Sequence, residues 1–342
     1  MLKSLVSTGR KRWFVKLILA SLLVQVVIFL IVKLVNISVV APAQKRNQNT
    51  TEPTTTAVLS RSSTLPSSTN ALNLSLVHPG SFDVQNETLK CTTARLGGLR
   101  FPICIYATSS DVHISGSVSR GAYFEQNEVQ RFLRLLKADR RLQFVDIGAN
   151  IGLWTLPAAR LTQVLAVEPN PRSMARLAKA VHLGAVSSNV TLVHNAVSDV
   201  RTELHMGINP TNQGHAYLIK TTNCRTSVAE GPSCDVLKSR ARTVLLDDLL
   251  PLMRSKSALV KVDVEGHEVH VFTEQSAGQF FDNIDVRVVY MEWMWCKLFS
   301  TETVQPMINF FRTRNYAAFD LSNLQLHKDF RRWPNDILFK KL

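Results

Sequence analysis

The sequence predicts an α/β fold: a Rossmann-like sheet with helices on both faces and a C-terminal antiparallel strand pair, preceded by one transmembrane helix. Three observations predict it. Strand-like apolar runs alternate with runs at helical spacing from Phe144 onward. The strand-like runs have no polar face, as expected of parallel strands covered on both sides. An uncharged stretch, Leu17 to Val32, directly follows a cluster of basic residues.

That stretch is interrupted only by Ser21 and Gln25, and Lys3, Arg10, Lys11, Arg12 and Lys16 precede it. The arrangement predicts a cytoplasmic tail over residues 1–16 and a signal-anchor over 17–40, with the rest of the chain on the far side of the membrane. A cleaved signal peptide is the alternative, because Ala41-Pro42-Ala43 is a small-x-small pattern. The apolar run exceeds an ordinary signal core of about 7–15 residues, which favours the anchor. Residues 41–88 are rich in Thr, Ser, Asn and Pro and read as a disordered lumenal stalk, too poor in apolar surface to offset its ordering entropy. Sequons at Asn49, Asn73 and Asn86, with another at Asn189, fit a glycosylated lumenal orientation. This topology implies a single-pass type II protein of the Golgi or endoplasmic reticulum.

Net charge is +14, which raises the question of nucleic acid. Half of that excess lies in residues 1–90, and the remainder is diffuse, without a basic block or aromatic-interleaved motif. No nucleic-acid partner is expected. Five cysteines are present. Cys91 with Cys104, and Cys224 with Cys234, would each close a short loop in an oxidising lumen, although spacing alone does not decide the pairing. No CxxC or nearby His pair supplies a zinc site. Cys296 reads as a small buried hydrophobe.

The remaining chain, residues 89–342, reads as one catalytic domain. Leu89 to Asp111 suggests short strands, and Arg120 to Lys137 an amphipathic helix. An apolar strand then ends at Asp146 in the turn GANIG, holding Gly148, Asn150 and Gly152. Glycine lets the backbone approach a ligand and tolerates positive φ. The next strand, VLAVE, ends in Glu168, 22 residues after Asp146. An acidic residue at about that distance beyond a glycine turn suits ribose hydroxyls. Asn150 stands where a pyrophosphate-binding GxGxxG would place glycine, so the pattern suits a nucleoside without pyrophosphate, such as S-adenosyl-L-methionine. Gly207 to Ser233 reads as an irregular insertion, and YAAFDL and DILFKKL as terminal strands.

GAYFE, FVDIGANIG, AVEPNP, NAVSD, TVLLDDL, KVDVEGHE and YMEW, in this order, resemble the FkbM-type methyltransferases, a branch of the class I S-adenosylmethionine-dependent enzymes. The resemblance runs from about Arg120 to the C-terminus. It implies that Asp146, Gly148, Asn150 and Gly152 form the cofactor turn and that Glu168 holds the ribose. Asn195, Ala196 and Asp199 would flank the adenine, with a helix N-cap as the alternative role for Asp199. It also implies transfer to oxygen, and with the topology above the expectation is an O-methyltransferase acting on a small-molecule or glycan hydroxyl.

DVEGHE is the segment expected to carry chemistry. Asp263 emerges at the end of a buried strand and is the first choice for the group near the sulfonium and the acceptor hydroxyl. Glu265 is the second choice, and His267 is a possible base because its ordinary pKa lies near neutrality. Bland roles compete: Asp263 could orient backbone amides, Glu268 could cap the following helix, and His267 could be an exposed helix residue. Glu292 is a further pocket candidate. A divalent ion between Asp263, Glu265 and Glu292 is conceivable, since clustered carboxylates suit hard cations, but the pattern requires no metal. Two other functions remain in play: a non-catalytic lumenal scaffold that retains the fold, and a cytosolic RNA or protein methyltransferase.

Overall fold

The structure, a computed structural model, describes residues 74–79, 89–209, 212–219 and 235–342. The expected tail, membrane segment and most of the stalk lie outside these residues, as do Cys224, Cys234 and the sequons at Asn49, Asn73 and Asn86. Among the described residues no helix is long and apolar enough to cross a membrane.

In chain order the strands are β1 (Leu76–Val77), β2 (Lys90–Leu96), β3 (Leu99–Ile105), β4 (Leu142–Ile147), β5 (Val164–Val167), β6 (Val190–Val193) and β7 (Ala196–Val197). They continue with β8 (Glu203–Asn209), β9 (Asn212–Ile219), β10 (Asp235–Val244), β11 (Ser257–Val262), β12 (Asp285–Glu292), β13 (Tyr316–Phe319) and β14 (Asp336–Lys341). The main sheet has the order β1-β6-β5-β4-β11-β12-β14-β13. Strands β6, β5, β4, β11 and β12 run parallel, and β14 and β13 close the far edge antiparallel, as the sequence predicts. The chain steps outward from β4 to β6 and then returns to β11 on the other side of β4, so the strand order switches between β4 and β11. Ligands of such sheets sit outside the carboxyl ends of the strands at that switch.

All six residues of β4 are buried, and successive side chains enter opposite cores. Phe144 packs with Phe132 of the helix Gln126–Ala138 and Leu177 of the helix Pro171–Leu183. Val145 belongs to the other cluster, with Phe280 of the helix Glu274–Asn283 and Phe311 of the helix Thr301–Thr313. The sheet is thus sandwiched between two helical layers. Asn170 starts the helix Pro171–Leu183, accepting from Arg172 N at 3.0 Å, with proline next in the chain where its missing N–H costs nothing.

Three expectations are corrected. The helix expected from Arg120 begins only at Gln126, because Gly121 (φ 77°) and Glu125 (φ 55°) turn the backbone into the left-handed region first. Gly207 to Ser233 is not wholly irregular. Strands β8 and β9 pair antiparallel and, with β10 and β7, form a second sheet of order β7-β10-β8-β9. Finally, Leu76–Val77 lies inside the expected disordered stalk yet pairs with β6, where Ser75 N donates to Asn195 Oδ1 (2.8 Å) and His194 N to Ser75 O (2.8 Å). Open backbone groups at the sheet edge capture this short stretch, and its apolar side chains Leu74 and Val77 pack on the cores. A disulfide joins Cys91 to Cys104 across the β2–β3 hairpin, one of the two pairings envisaged. Cys296 is free and buried, as expected.

Candidate active site

The parallel register sets Asp146 of β4 beside Lys261 of β11, so the residues that follow, Gly148 and Asp263, emerge side by side at the switch. Gly148 has φ 81°, and a Cβ there would fall 1.8 Å from Asp263 O. Only glycine lets the two strand tips touch. A cleft opens against this contact, walled by Asn150, Glu168, Ala196, Leu218, Asp263 and Glu265 among others.

Glu168 at the end of β5 holds the turn. Its Oε2 accepts from Asn150 N (2.8 Å) and its Oε1 from Asn170 N (2.7 Å). Burial pushes its carboxyl up to about 7, against the pull of those two backbone bonds. Each oxygen keeps a second lone pair for a ligand hydroxyl. Across the cleft, Ala196, Val197 and Leu218 offer an apolar strip. A carboxylate at the β5 tip with apolar side chains opposite is a donor set that fits the ribose and adenine of adenosine. The cleft is narrow, with about 40 Å³ free, because β9 lies over it and Asn150 Nδ2 donates to Gly214 O at 3.1 Å. Binding of a nucleoside is expected to widen the cleft at β9.

Beneath the cleft lies a buried ion cluster. Lys261 Nζ donates to Gly148 O (2.8 Å) and stands 3.2 Å from Asp263 Oδ2 and 3.7 Å from Asp146 Oδ1. Burial alone would lower its pKa, but Asp263, Asp146 and Glu125 raise it above the ordinary value, so it stays charged. Asp146 is fully buried and accepts from Thr155 Oγ1 at 2.6 Å; burial raises its carboxyl. The ammonium clamps β4 to β11 and holds the Asp263 carboxylate at the tip.

A second pocket adjoins the first, with about 250 Å³ free, and shares Gly148, Asn150, Gly214, Asp263 and Glu265 with it. Glu125, Trp154, His215 and Glu292 complete its chemically distinctive lining. Glu125 Oε2 accepts from Trp154 Nε1 (2.7 Å); burial and Asp263 push its carboxyl up to about 7. Glu265 (φ 55°) has its Oε2 2.8 Å from His215 Nδ1 and accepts from Trp295 Nε1 at 3.2 Å. Burial raises its carboxyl. Glu292 is pushed up to about 11 by burial, then by Asp263, Glu265 and Glu268. Three residues around these walls, Glu125, Asn150 and Glu265, adopt left-handed backbone that non-glycine residues seldom take.

A family model for the methyltransferase FkbM domain matches residues 146–318, just over half of the chain. The chain belongs to the FkbM methyltransferase family. It is an S-adenosylmethionine-dependent methyltransferase. Its fold is similar to that of an S-adenosylmethionine-dependent O-methyltransferase from Thermotoga maritima, at 8% identity over 73% of this chain and 77% of that one, TM-score 0.34. It is similar to a precorrin-6y C5,15-methyltransferase from Geobacter metallireducens, at 13% identity over 63% and 89%, TM-score 0.32. A third similarity is to a 16S rRNA N2 G1207 methyltransferase from T. thermophilus in complex with AdoMet and guanosine, at 14% identity over 75% and 51%, TM-score 0.35. At such identities the likeness is one of fold and says nothing about the acceptor. No curated protein matches the chain significantly.

Of the residues expected to serve this FkbM methyltransferase, Gly148, Asn150, Glu168, Asn195, Ala196, Asp263 and Glu265 line the first cleft. The Asn195 side chain is itself engaged, with Oδ1 accepting from Ser75 N and Nδ2 donating to Arg242 O. Four others do not line either cavity. Asp146 lies below, positioning Lys261. Gly152 (φ 97°) is a packing glycine: a Cβ there would meet Leu177 Cδ1 at 2.6 Å. The Asp199 carboxylate is 2.9 Å from His270 Nδ1, outside the lining of the cleft, and caps none of the described helices. His267 is buried rather than exposed, with Nε2 2.9 Å from Ser198 Oγ, and lines neither cavity. Glu268 binds the DVEGHE turn, accepting from Val264 N and Gly266 N. The carboxylates of Asp263, Glu265 and Glu292 come within 4.8 Å of one another, close enough to share one hard cation.

Sequence reasoning missed Glu125, Trp154, His215 and Lys261 as functional residues. Lys261 carried a usable signal, being the lone charge inside the apolar strand ALVKV. His215 carried none, because β9 was read as irregular.

Proposed function

We propose that this methyltransferase transfers its methyl group to a hydroxyl oxygen, and that its acceptor is a glycan or another product of the Golgi or endoplasmic-reticulum lumen. One observation carries the oxygen assignment. The nucleoside cleft and the acid-lined pocket share Asp263 and Glu265, so a group seated in the second meets carboxylates where the first ends. Bound S-adenosyl-L-methionine supplies a methyl group activated by its sulfonium.

The chain's part is alignment and proton removal. Glu168 holds the ribose hydroxyls at the β5 tip. The Asp263 carboxylate, kept in place by Lys261, faces the junction of the two cavities. It orients the acceptor hydroxyl and takes its proton at Oδ1 or Oδ2 as the oxygen attacks in line. Glu265, held by His215 and Trp295, closes the same wall.

The lumenal setting is supported by the basic residues before Leu17–Val32, by the sequons at Asn49, Asn73 and Asn86, and by the Cys91–Cys104 disulfide. Incubating the full chain with isotopically labelled donor and a panel of glycans, lipids and peptides tests the acceptor; label carried by nitrogen or carbon of the product refutes O-transfer. Endoglycosidase treatment of the cellular protein tests the location. An unchanged electrophoretic mobility would contradict lumenal exposure.

A further inference from the structure

The second pocket has carboxyls on its walls and almost nothing to receive an anion. Glu125, Asp263, Glu265 and Glu292 all line it, and three of these carboxylates lie within 4.8 Å of one another. Among the described residues no arginine lines it. Its one lysine, Lys261, is already engaged by Gly148 O, Asp263 and Asp146, and His215 by Glu265. His113 is an exposed imidazole at the rim.

Two further features indicate what the pocket does accept. Glu292 Oε2 is buried without a hydrogen-bond partner, and a neutral hydroxyl would satisfy it without adding charge. Phe124 and Met294, 37% and 36% exposed, offer apolar surface beside Trp154 for the C–H face of a ring. An anionic group brought in by an acceptor would lie among the carboxylates of Asp263, Glu265 and Glu292.

We propose that this pocket is a charge filter: it admits an uncharged, hydroxyl-bearing acceptor such as a neutral sugar residue, and rejects one carrying carboxylate, phosphate or sulfate at that place. The inference rests on the reading of the second pocket as the acceptor side of the methyl-transfer site. Like charges juxtaposed in a desolvated site cost several kcal/mol, so discrimination of at least about tenfold is expected.

The test uses the full chain in detergent with matched hexosides of gluco, galacto and manno configuration. Each is supplied as the neutral sugar, the uronate and the 2-amino sugar. Methyl transfer is read as kcat/KM, and binding is read separately by calorimetry with S-adenosylhomocysteine present. The neutral form should exceed its uronate at least about tenfold in both readouts. Glu125→Gln should narrow that ratio, whereas Glu274→Gln, at an exposed position, should leave it unchanged. A uronate used as well as its neutral partner overturns the proposal, and so does an amino sugar preferred tenfold. If no neutral hexoside binds although S-adenosylmethionine does, the acceptor class is wrong while methyl transfer stands. Absence of S-adenosylmethionine binding would sink the underlying reading itself.

Discussion

Replacing Gly148 by alanine isolates the contact on which both cavities depend. At φ 81° the new residue pays a left-handed penalty of about 1–2 kcal/mol. Its Cβ would also sit 1.8 Å from Asp263 O and 2.9 Å from Asp263 C, both backbone atoms that cannot swing aside. The tips of β4 and β11 must separate, an overpacking cost of about 1–3 kcal/mol. The combined loss of about 2–5 kcal/mol corresponds to a fall in Tm of roughly 4–20 °C for a domain of this size. Separating the tips also breaks the Lys261 bond to Gly148 O and misplaces Asp263, so donor affinity should fall as well. Gly121→Ala is the control, because Gly121 has φ 77° but nothing within 4 Å of its missing Cβ. Differential scanning fluorimetry and calorimetric titration with S-adenosylmethionine measure the two effects. If Gly148→Ala melts with Gly121→Ala and binds donor normally, the close approach is not what builds the site.

Glu168→Ala should weaken donor binding by about 1.5–3 kcal/mol, roughly ten- to a hundredfold, read by calorimetry. Because its carboxyl is raised to about 7, donor affinity should increase from pH 6 to pH 8 as it ionises. Stability should move the other way. The folded state keeps a proton that the unfolded chain loses near the ordinary carboxylate value, so this contribution is present at low pH and lost as pH rises through about 7. A chemical-denaturation series that shows stability rising over that range, in the wild type relative to Glu168→Gln, contradicts the assignment. Asp263→Asn should lower kcat more than donor affinity, and equal losses in steady-state and binding measurements would deny it a role in the chemical step. Hydrogen exchange should show the β9 amides around Gly214 to Leu218 changing protection when donor binds; an unaltered β9 would mean that the cleft fills without moving it.

Much of the fold was legible because parallel strands buried on both faces leave near-continuous apolar runs, as in VLAV at Val164–Val167. The acidic strand ends Glu168 and Asp263 were legible for the same reason, whereas Asp146, expected to end its strand, lies buried inside β4 beside Lys261. The β9 strand was not. Asn212 to Ile219 mixes Gly, His and Asn with apolar residues, and its strand identity comes from pairing with β8 rather than from its own pattern. Proximity also misled. Asp199 and His267 lie close in sequence to true cleft residues, but a turn separates neighbours in direction within two or three positions.

The sequence by itself determined the alternation of strand and helix, the nucleoside-type turn at GANIG and the carboxylates at the strand tips, since each depends on residues close together in the chain. Only the tertiary structure decided which of those carboxylates share a wall. Glu125, Glu265 and Glu292 come from segments far apart in the chain, and their meeting depends on strand order and on a hairpin folded across the sheet's end. Long-range packing sets those distances, and the distances set the charge of the pocket.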